Sequence, residues 1–275
     1  MILVNILALV AVAAAAVALM LTGQESDIHR TTRFAEAARA DAAVAGGELS
    51  ARVALRRDAL LAPEADHPRE PWGGVNQQAV AIEGGTFALQ VSDAQDRLNL
   101  LDVARGDPRA LAALGRIATA LRIPPETQAA VAARLREGVG PEILAELPRL
   151  GIDPALLPRL APLVTILPAS QATPININAV DPALLAILAD SPAGAQQLLA
   201  QRDRAGFLTP ADLQTIGLPL PPGTGFTSDH YWVRTQVRIG DTPRAATALL
   251  QRRRAPDGRV SVETIGRWRG VARPF

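Results

Sequence analysis

Cysteine and lysine are both absent from this 275-residue sequence, and aromatic residues make up only 3% of it. Without cysteine the chain has no disulfides, thiolate metal ligands, iron–sulfur clusters or cysteine nucleophile. With so few aromatics, we expect a core of alanine, leucine, valine and isoleucine. All 28 basic side chains are arginines and they nearly balance 27 acidic ones. The net charge of +1 excludes a nucleic-acid-binding protein that works through its overall charge.

The arginines are concentrated at the C-terminus, where residues 252–275 carry seven of them against Asp257 and Glu263. Such a cluster can attract nucleic acid or anionic lipid. It is also typical of solvated strand edges, where charge prevents aggregation. We favour the solvated edge, because the pattern of the segment is that of β-strands.

The N-terminus is apolar from Met1 to Leu21, with Asn5 as its one polar side chain. At about 1.5 Å per residue, a helix over these residues spans roughly the 30 Å hydrocarbon core of a bilayer. A secretory signal peptide is the alternative, but it needs a basic start and a small-residue cleavage site that the sequence does not match. We therefore predict a retained membrane anchor over residues 1–22. The residues expected to pack in the membrane and against neighbouring helices are Leu3, Asn5, Ile6, Leu7, Val10, Val17 and Leu21.

Helical periodicity continues beyond the anchor over residues 23–62, with small or apolar residues at spacings of three, four and seven. Gly46-Gly47 is a candidate kink and Pro63 ends the pattern. Arg30, Arg33 and Arg39 follow the apolar run, so charge alone favours a cytoplasmic C-terminal side.

Two groups of strands flank the middle of the chain. Residues 79–82 and 86–91 surround Glu83-Gly84-Gly85, which predicts a β-hairpin. Residues 231–239, 245–252 and 259–265 predict an antiparallel meander, although the middle segment also fits a helix. We expect all five strands to form one sheet.

The block between these strands, from about 107 to 217, is predicted to be helical. Asp107, Asp153, Asp181 and Thr209 each stand directly before a proline. This pairing places a capping side chain next to a proline at the first helical position. Because strands of the expected sheet lie on both sides of it, the helical block is expected to be an insertion into an α/β domain.

No arrangement of residues in the sequence indicates catalysis or a metal site. The histidines are not spaced with one another or with carboxylates as metal ligands usually are. Asp93, Asp96 and Asp102 lie close in sequence, and we interpret them as turn or cap residues, with calcium binding as the alternative. We therefore do not expect an enzyme. The three histidines are His29, His67 and His230.

Pro174-Ile175-Asn176-Ile177-Asn178 is the most distinctive string. In an extended segment, both amides face one side and both isoleucines the other. We expect the amides to tie this segment to the helix that starts at Asp181, while the isoleucines enter the core.

The residues after this string, through Gly206, Phe207 and Leu213, also resemble helix-hairpin-helix modules, which grip DNA phosphates with glycine-rich backbone amides. The hairpin here, residues 190–194, has one glycine, a proline that cannot donate and an aspartate that repels phosphate. A membrane-anchored DNA-binding protein of an uptake system is therefore kept as an alternative function.

Taken in chain order, these motifs resemble protein K of type II secretion systems, the largest minor pseudopilin. The hydrophobic helix, the glycine hairpin, the strings Arg97-Leu98-Asn99-Leu100 and 174–179, and the segments 156–167 and 202–213 carry the resemblance. The residues expected to form its structural motif are Gly84, Gly85, Asp93, Arg97, Asn99, Pro174, Asn176, Asn178, Gly206 and Phe207.

The resemblance implies an inner-membrane protein with a periplasmic C-terminal domain, which outweighs the charge argument on orientation. It implies assembly with minor pseudopilins I and J, other pseudopilins and the inner-membrane assembly platform, at the tip of the pseudopilus. Family members characteristically lack the early glutamate of common pilins, and this chain has no acidic residue before Glu25. The acidic, aromatic stretch associated with calcium in some members is replaced by residues 136–144. We therefore expect no cofactor, and calcium is not supported.

The predicted fold class is α+β: a long N-terminal transmembrane helix leads into a pilin-like antiparallel sheet with an inserted all-α domain that contains helix-hairpin-helix-like elements. The expected boundaries are residues 1–22 for the anchor, 23–62 for its amphipathic continuation, 63–103 for the first part of the pilin-like domain, 104–225 for the insertion and 226–275 for the closing strands.

Overall fold

The computed structural model describes the backbone of residues 2–73, 77–140, 143–189 and 191–270. Side chains are described in the same ranges except for residues 2–5, 8, 18, 21–28 and 77–78. The helices are α1 Ile2–Leu61, α2 Leu100–Ala104, α3 Pro108–Leu121, α4 Pro125–Glu137, α5 Ile143–Glu146, α6 Leu157–Leu160, α7 Pro182–Leu188, α8 Pro192–Ala205 and α9 Pro210–Ile216. The strands are β1 Gln77–Ile82, β2 Gly85–Asp93, β3 Leu98–Asn99, β4 Val164–Thr165, β5 Ile175–Asn176, β6 Thr224–Gly225, β7 His230–Ile239, β8 Thr242–Arg254 and β9 Val260–Arg269.

Helix α1 is continuous over 60 residues and its C-terminal half packs on β7, β8 and β9. Ala40, Ala51 and Leu55 are fully buried in this contact. Gly47 lies within the unbroken helix and permits close packing, because a Cβ atom there would stand 3.0 Å from the Phe87 ring. Among the residues that the structure describes, no helix is long and apolar enough to span a membrane.

The five long strands form one antiparallel sheet in the order β1-β2-β7-β8-β9. The hairpin and the meander predicted from the sequence are confirmed, and the alternative of a helix in the middle segment is wrong, because β8 pairs with both neighbours. Gly85 begins β2 against the backbone of β7. A Cβ atom at this position would lie 1.7 Å from the carbonyl oxygen of Arg238. Glycine is therefore required at the start of the strand.

The helical block lies between β2 and β7 and has its own leucine- and isoleucine-rich core. Four predicted capping residues accept hydrogen bonds from the first turns that follow them: Asp107, Asp153, Asp181 and Thr209. Thr209 forms a reciprocal capping box with Asp212. Asp153 precedes a 3-10 turn, Pro154–Leu156, where a helix was expected.

Three short strands within residues 104–225, β4, β5 and β6, correct the expectation of an all-α insertion. Strand β3 pairs with β4, and β5 pairs with β6. Both pairs are too short for sequence periodicity to reveal them.

The core between α1 and the sheet is more aromatic than the composition suggested. Trp72 and Tyr231 of this core are at most 1% exposed. They meet edge-on, with ring centroids 5.2 Å apart. Trp232 is also buried, but on the opposite face of the sheet, with Ala94, Leu167 and Leu249.

Candidate functional site

The loop between α1 and β1 carries charged side chains into the interior. Asp66 is 1% exposed and Glu70 is 5% exposed. Because a buried carboxylate is costly unless it is paired, this loop must be held by specific partners.

Arg252 of β8 is the main cationic partner, and its guanidinium contacts two carboxylates. Its Nη2 donates to Asp66 Oδ2 at 2.5 Å and to the Ser228 carbonyl at 2.7 Å, while Nη1 lies 3.5 Å from Asp58 Oδ2. The guanidinium also lies over the Tyr231 ring, 5.2 Å from its centroid. The interpretation of the arginine triplet as a solvated strand edge is therefore wrong for Arg252, which is 8% exposed.

Glu70 fixes the loop from inside. Its Oε2 accepts hydrogen bonds from Trp72 Nε1 at 2.8 Å and from the backbone of His67 at 2.9 Å. Burial raises the pKa of Glu70 above its usual value. The buried carboxylate of Glu70 therefore joins His67 and Trp72 within the loop.

Asp58, Asp66 and Glu70 each place one carboxylate oxygen within 4.8 Å of the others, which is a spacing that metal ligands can have. Arg252 already supplies positive charge to two of them. Burial, together with the charges of Glu70 and Asp66, raises the pKa of Asp58 to about 7. The arrangement is that of a buried ion-pair network which holds α1, the loop and β8 together.

Asp93, at the end of β2, continues this network toward the helical block. Its Oδ2 accepts from the Ser228 hydroxyl at 2.6 Å and from Asn176 Nδ2 at 2.7 Å, and its Oδ1 accepts from the Gln95 backbone at 2.7 Å. The last bond is an Asx turn, so the predicted turn role of Asp93 is observed. Burial raises the pKa of Asp93 to about 7 in spite of these hydrogen bonds.

Asn176 connects three segments that are distant in sequence. Its Nδ2 donates to the Asp66 carbonyl at 2.9 Å as well as to Asp93, and it lies 3.0 Å from Ser228 Oγ. Its Oδ1 accepts from the Asn178 backbone. The expectation that its amide ties the strand to the helix beginning at Asp181 is therefore wrong, because the amide faces the sheet and the loop.

Asn178 has a different role, because the chain turns directly after β5 and the two amides do not share one strand face. The Asn178 side chain exchanges two hydrogen bonds with the backbone of Leu208, at 2.7 and 3.0 Å. Both isoleucines, Ile175 and Ile177, enter the core as predicted, with at most 1% exposure. Pro174 accepts from Gln95 Nε2 through its carbonyl.

Asn99 caps α2 and joins it to the segment that follows β4. Its Oδ1 accepts from the backbone of Leu101 and of Leu167, and its Nδ2 donates to Thr173 Oγ1 at 2.9 Å. Asp102 accepts from both the backbone and the hydroxyl of Thr173. Arg97 pairs with Asp96 at 3.1 Å. Asp93, Asp96 and Asp102 therefore each bond to different residues and do not point toward one shared site.

Gly206 and Phe207 bring the end of α8 to the same loop. Gly206 ends the helix with φ +91°, and a Cβ atom there would lie 2.4 Å from Arg69 Nη1. The Phe207 ring stacks on His67 with centroids 4.1 Å apart.

His230 is buried beside Gln95, and burial lowers its pKa to about 4. His29 is exposed on α1.

In the described part of the hairpin between α7 and α8, residues 191–194, the glycine amide is used within the protein. The Gly194 amide donates to the Ser191 hydroxyl at 3.1 Å, and Gly194 is buried. Asp190 lies outside the described residues. The hairpin is therefore organised as a helix cap.

The predicted membrane and helix-packing residues lie at the start of α1. Ile6, Leu7, Val10 and Val17 are between 54% and 73% exposed. The side chains of Leu3, Asn5 and Leu21 are outside the described residues. Their role in membrane packing remains a prediction.

Sequence reasoning missed Asp58, Asp66, Glu70, Ser228 and Arg252. One signal was available for the last of these: residues two apart on a strand share a face, so a strand over 245–252 places Arg252 on the same face as the apolar Leu250. An arginine on the core face needs buried acids, but nothing in the sequence spacing identifies which ones.

The architecture, a long helix on an antiparallel sheet with a helical insertion, can now be compared with known proteins. A family model described as type II secretion system (T2SS), protein K, matches residues 175–229. A chain of the crystal structure of the GspK-GspI-GspJ complex from the enterotoxigenic Escherichia coli type 2 secretion system is similar, with a TM-score of 0.62 and 21% identity. The match covers 88% of this chain and 100% of that one. No curated protein sequence matches.

The two comparisons confirm the resemblance that the motifs indicated, and the DNA-binding alternative receives no support from either. The family-model match contains Asn176, Asn178, Phe207 and Ser228. Asn176 and Phe207 contact the sheet or the loop after α1, Ser228 donates to Asp93, and Asn178 bonds to Leu208 within the helical block. The matched segment therefore includes part of the contact between the insertion and the sheet.

Proposed function

We propose that this chain is a minor pseudopilin of a type II secretion system. It assembles with minor pseudopilins I and J at the tip of the periplasmic pseudopilus and supports the export of folded proteins across the outer membrane. The observation that carries the proposal is the protein K family match over residues 175–229, which include Asn176 and its contacts with Asp93 and the loop after α1. The similarity to the whole of a chain in a GspK-GspI-GspJ complex supports the same fold.

Such a protein acts by assembly and not by catalysis. The buried side chains of Asn176, Ser228 and Arg252 hold the helical block, the loop and the sheet in one arrangement.

We further propose that residues 1–22 anchor the chain in the inner membrane with a single pass, and that the C-terminal domain is periplasmic. The apolar run from Ile6 to Leu21 supports this proposal. Residues 23–62 continue the helix, residues 63–103 and 226–275 supply the sheet, and residues 104–225 form the insertion.

Co-purification tests the assembly. The full-length chain, solubilised in detergent, is co-expressed with the heads of minor pseudopilins I and J from the same organism and analysed by size exclusion with light scattering. We expect a heterocomplex with one copy of each protein, and each protein alone is the control. Elution of this chain by itself across a range of concentrations would contradict the proposed function.

A further inference from the structure

Three buried carboxylates at the end of α1 and in the loop after it share one arginine. Asp58, Asp66 and Glu70 are at most 5% exposed, and each places one oxygen within 4.8 Å of the others. We call this group the three-carboxylate cluster. Arg252 pairs with two of its members, so that two negative charges stay unbalanced when all three carboxylates are ionised. Unbalanced charge in a protein interior is costly and requires a further positive partner.

One oxygen of Asp66 and one oxygen of Glu70 have no hydrogen-bond donor. Arg252 donates to Asp66 Oδ2, whereas Asp66 Oδ1 is buried without a partner. Trp72 donates to Glu70 Oε2, whereas Glu70 Oε1 is buried without a partner. A buried carboxylate oxygen that has neither water nor a donor carries its full desolvation cost, so these two atoms indicate a ligand of positive charge.

The basic groups beside the cluster do not supply that charge to Glu70. Arg252 contacts Asp58 and Asp66 through their Oδ2 atoms. His67 Nε2 lies 3.9 Å from Glu70 Oε1, which is too far for a hydrogen bond, and histidine is largely neutral at neutral pH. Within the described residues, the carboxylate of Glu70 is therefore bonded only to neutral donors.

The spacing and chemistry of these oxygens fit a hard divalent cation. Carboxylate oxygens are the preferred ligands of such ions. Calcium binds oxygen at about 2.3–2.6 Å in irregular geometry, so two oxygens on one ion can lie up to about 5 Å apart. The three carboxylates meet this limit as they stand. One divalent ion also balances the two remaining negative charges.

We propose that Asp58, Asp66 and Glu70 form a binding site for a divalent cation of the size of calcium. The site belongs to α1 and the loop after it and lies outside the helical block. A bound ion fixes the loop to the end of α1, and the loop in turn accepts the Asn176 amide at the Asp66 carbonyl. This inference goes beyond the proposed function and does not depend on it, because no partner subunit supplies a ligand.

Metal titration of the full-length chain in detergent tests the site. Saturating Ca²⁺ should raise the melting temperature by about 5 °C relative to chelator, since a ligand that binds only the folded state stabilises it. Terbium uses the same oxygen ligands and gives a second readout. Because the Trp72 indole donates to Glu70 at 2.8 Å, tryptophan excitation should produce terbium emission that Ca²⁺ displaces.

Two conservative variants locate the ion. Glu70→Gln keeps an acceptor for Trp72 but removes the charge, and Asp58→Asn does the same on α1. Each should weaken calcium and terbium binding by at least about tenfold. Asp257→Asn is the control, because its carboxylate is exposed, and it should bind both ions as the wild type does. Melts in chelator verify that each variant is folded.

The outcomes are distinct from those of the co-purification. A wild-type chain with neither a calcium-dependent shift nor terbium emission would overturn the site and leave protons as the partners of the unbalanced carboxylates. Equal affinities in the wild type, Glu70→Gln and Asp58→Asn would also overturn it, because the ion would then bind elsewhere. None of these measurements involves pseudopilins I and J, so either result leaves the proposed function as it is.

Discussion

The side-chain amide of Asn176 donates a 2.7 Å hydrogen bond to the carboxylate of Asp93, across 83 residues of sequence. Asp93 ends the second strand of the sheet, and Asn176 ends β5 within the helical block. Both side chains are buried, and the Ser228 hydroxyl donates to the same carboxylate oxygen. This contact fixes the position of the insertion relative to the sheet.

Asn176→Ala tests that contact. The substitution removes the donors to Asp93 and to the Asp66 carbonyl and leaves both acceptors buried, with a hydroxyl as the remaining side-chain donor to Asp93 Oδ2. We expect a loss of about 2–4 kcal/mol in the free energy of unfolding, since unsatisfied buried polar groups carry their full desolvation cost. Urea unfolding followed by circular dichroism measures it.

Gln197→Ala is the matched control, because Gln197 is an exposed amide on α8. Its effect should stay within about 0.5 kcal/mol. Equal effects of the two substitutions would show that the Asn176 amide does not hold the junction.

The sequence was sufficient to predict the hairpin, the meander, their union in one sheet and the capped helix starts at Asp107, Asp181 and Thr209. A glycine turn between two short strands is a local signal, and so is an aspartate or threonine before a proline. The hydrogen bonds that form there join residues close in sequence. The destination of the Asn176 amide is not a local property. It depends on the loop after α1 and on the segment before β7 arriving at the same place.

The partners of the buried charges could not be predicted from the sequence either. Arg252 stands in a triplet with two other arginines, and composition alone gives all three the same solvated role. In the fold, Arg252 faces Asp58 and Asp66, while Arg253 and Arg254 are exposed. Only the register of β8 against β7 distinguishes them, because that register decides which side chain points under α1.

Arg252→Met should be strongly destabilising. It removes the guanidinium from two buried carboxylates, and breaking a buried ion pair from one side costs about 3–5 kcal/mol. Arg259→Met is the control, because its ion pair with Asp257 is exposed and surface pairs contribute about 0–1 kcal/mol. The measurement is the unfolding midpoint in urea, and a small effect of Arg252→Met would refute the ion-pair network.

Gly85→Ala and Gly46→Ala should act in opposite directions. At Gly85 a methyl group meets the Arg238 carbonyl at 1.7 Å, so the β2–β7 contact must move and the protein should lose stability. At Gly46 nothing lies within 4 Å, and alanine in a helix should add about 0.5–1 kcal/mol. Thermal melts of the two variants test this, and a stabilised Gly85→Ala would contradict the described approach of β2 to β7.

Stability should fall as the pH rises through neutrality. The pKa of Asp58 and the pKa of Asp93 are each raised to about 7 from an ordinary value of 3.8, chiefly by burial. A raised pKa in the folded state means that folding favours the protonated carboxyl. The resulting stabilisation is complete below the ordinary value and is lost as the pH passes through about 7. Between pH 5 and pH 8 we therefore expect these two carboxyls to lower the free energy of unfolding by on the order of 1–3 kcal/mol. The lowered pKa of His230, about 4, acts in the opposite direction up to its ordinary value of 6.5.

Asp58→Asn tests the origin of that decrease, because an amide in this position stays neutral at every pH. Urea unfolding at pH 5, 6, 7 and 8 should give a shallower dependence for Asp58→Asn than for the wild type. Asp257→Asn, at an exposed carboxylate, should leave the dependence unchanged. An unchanged pH dependence in Asp58→Asn would mean that the pKa of Asp58 is not raised and that Arg252 holds its carboxylate in the charged form. In that case charge pairing, and not burial, would dominate the junction.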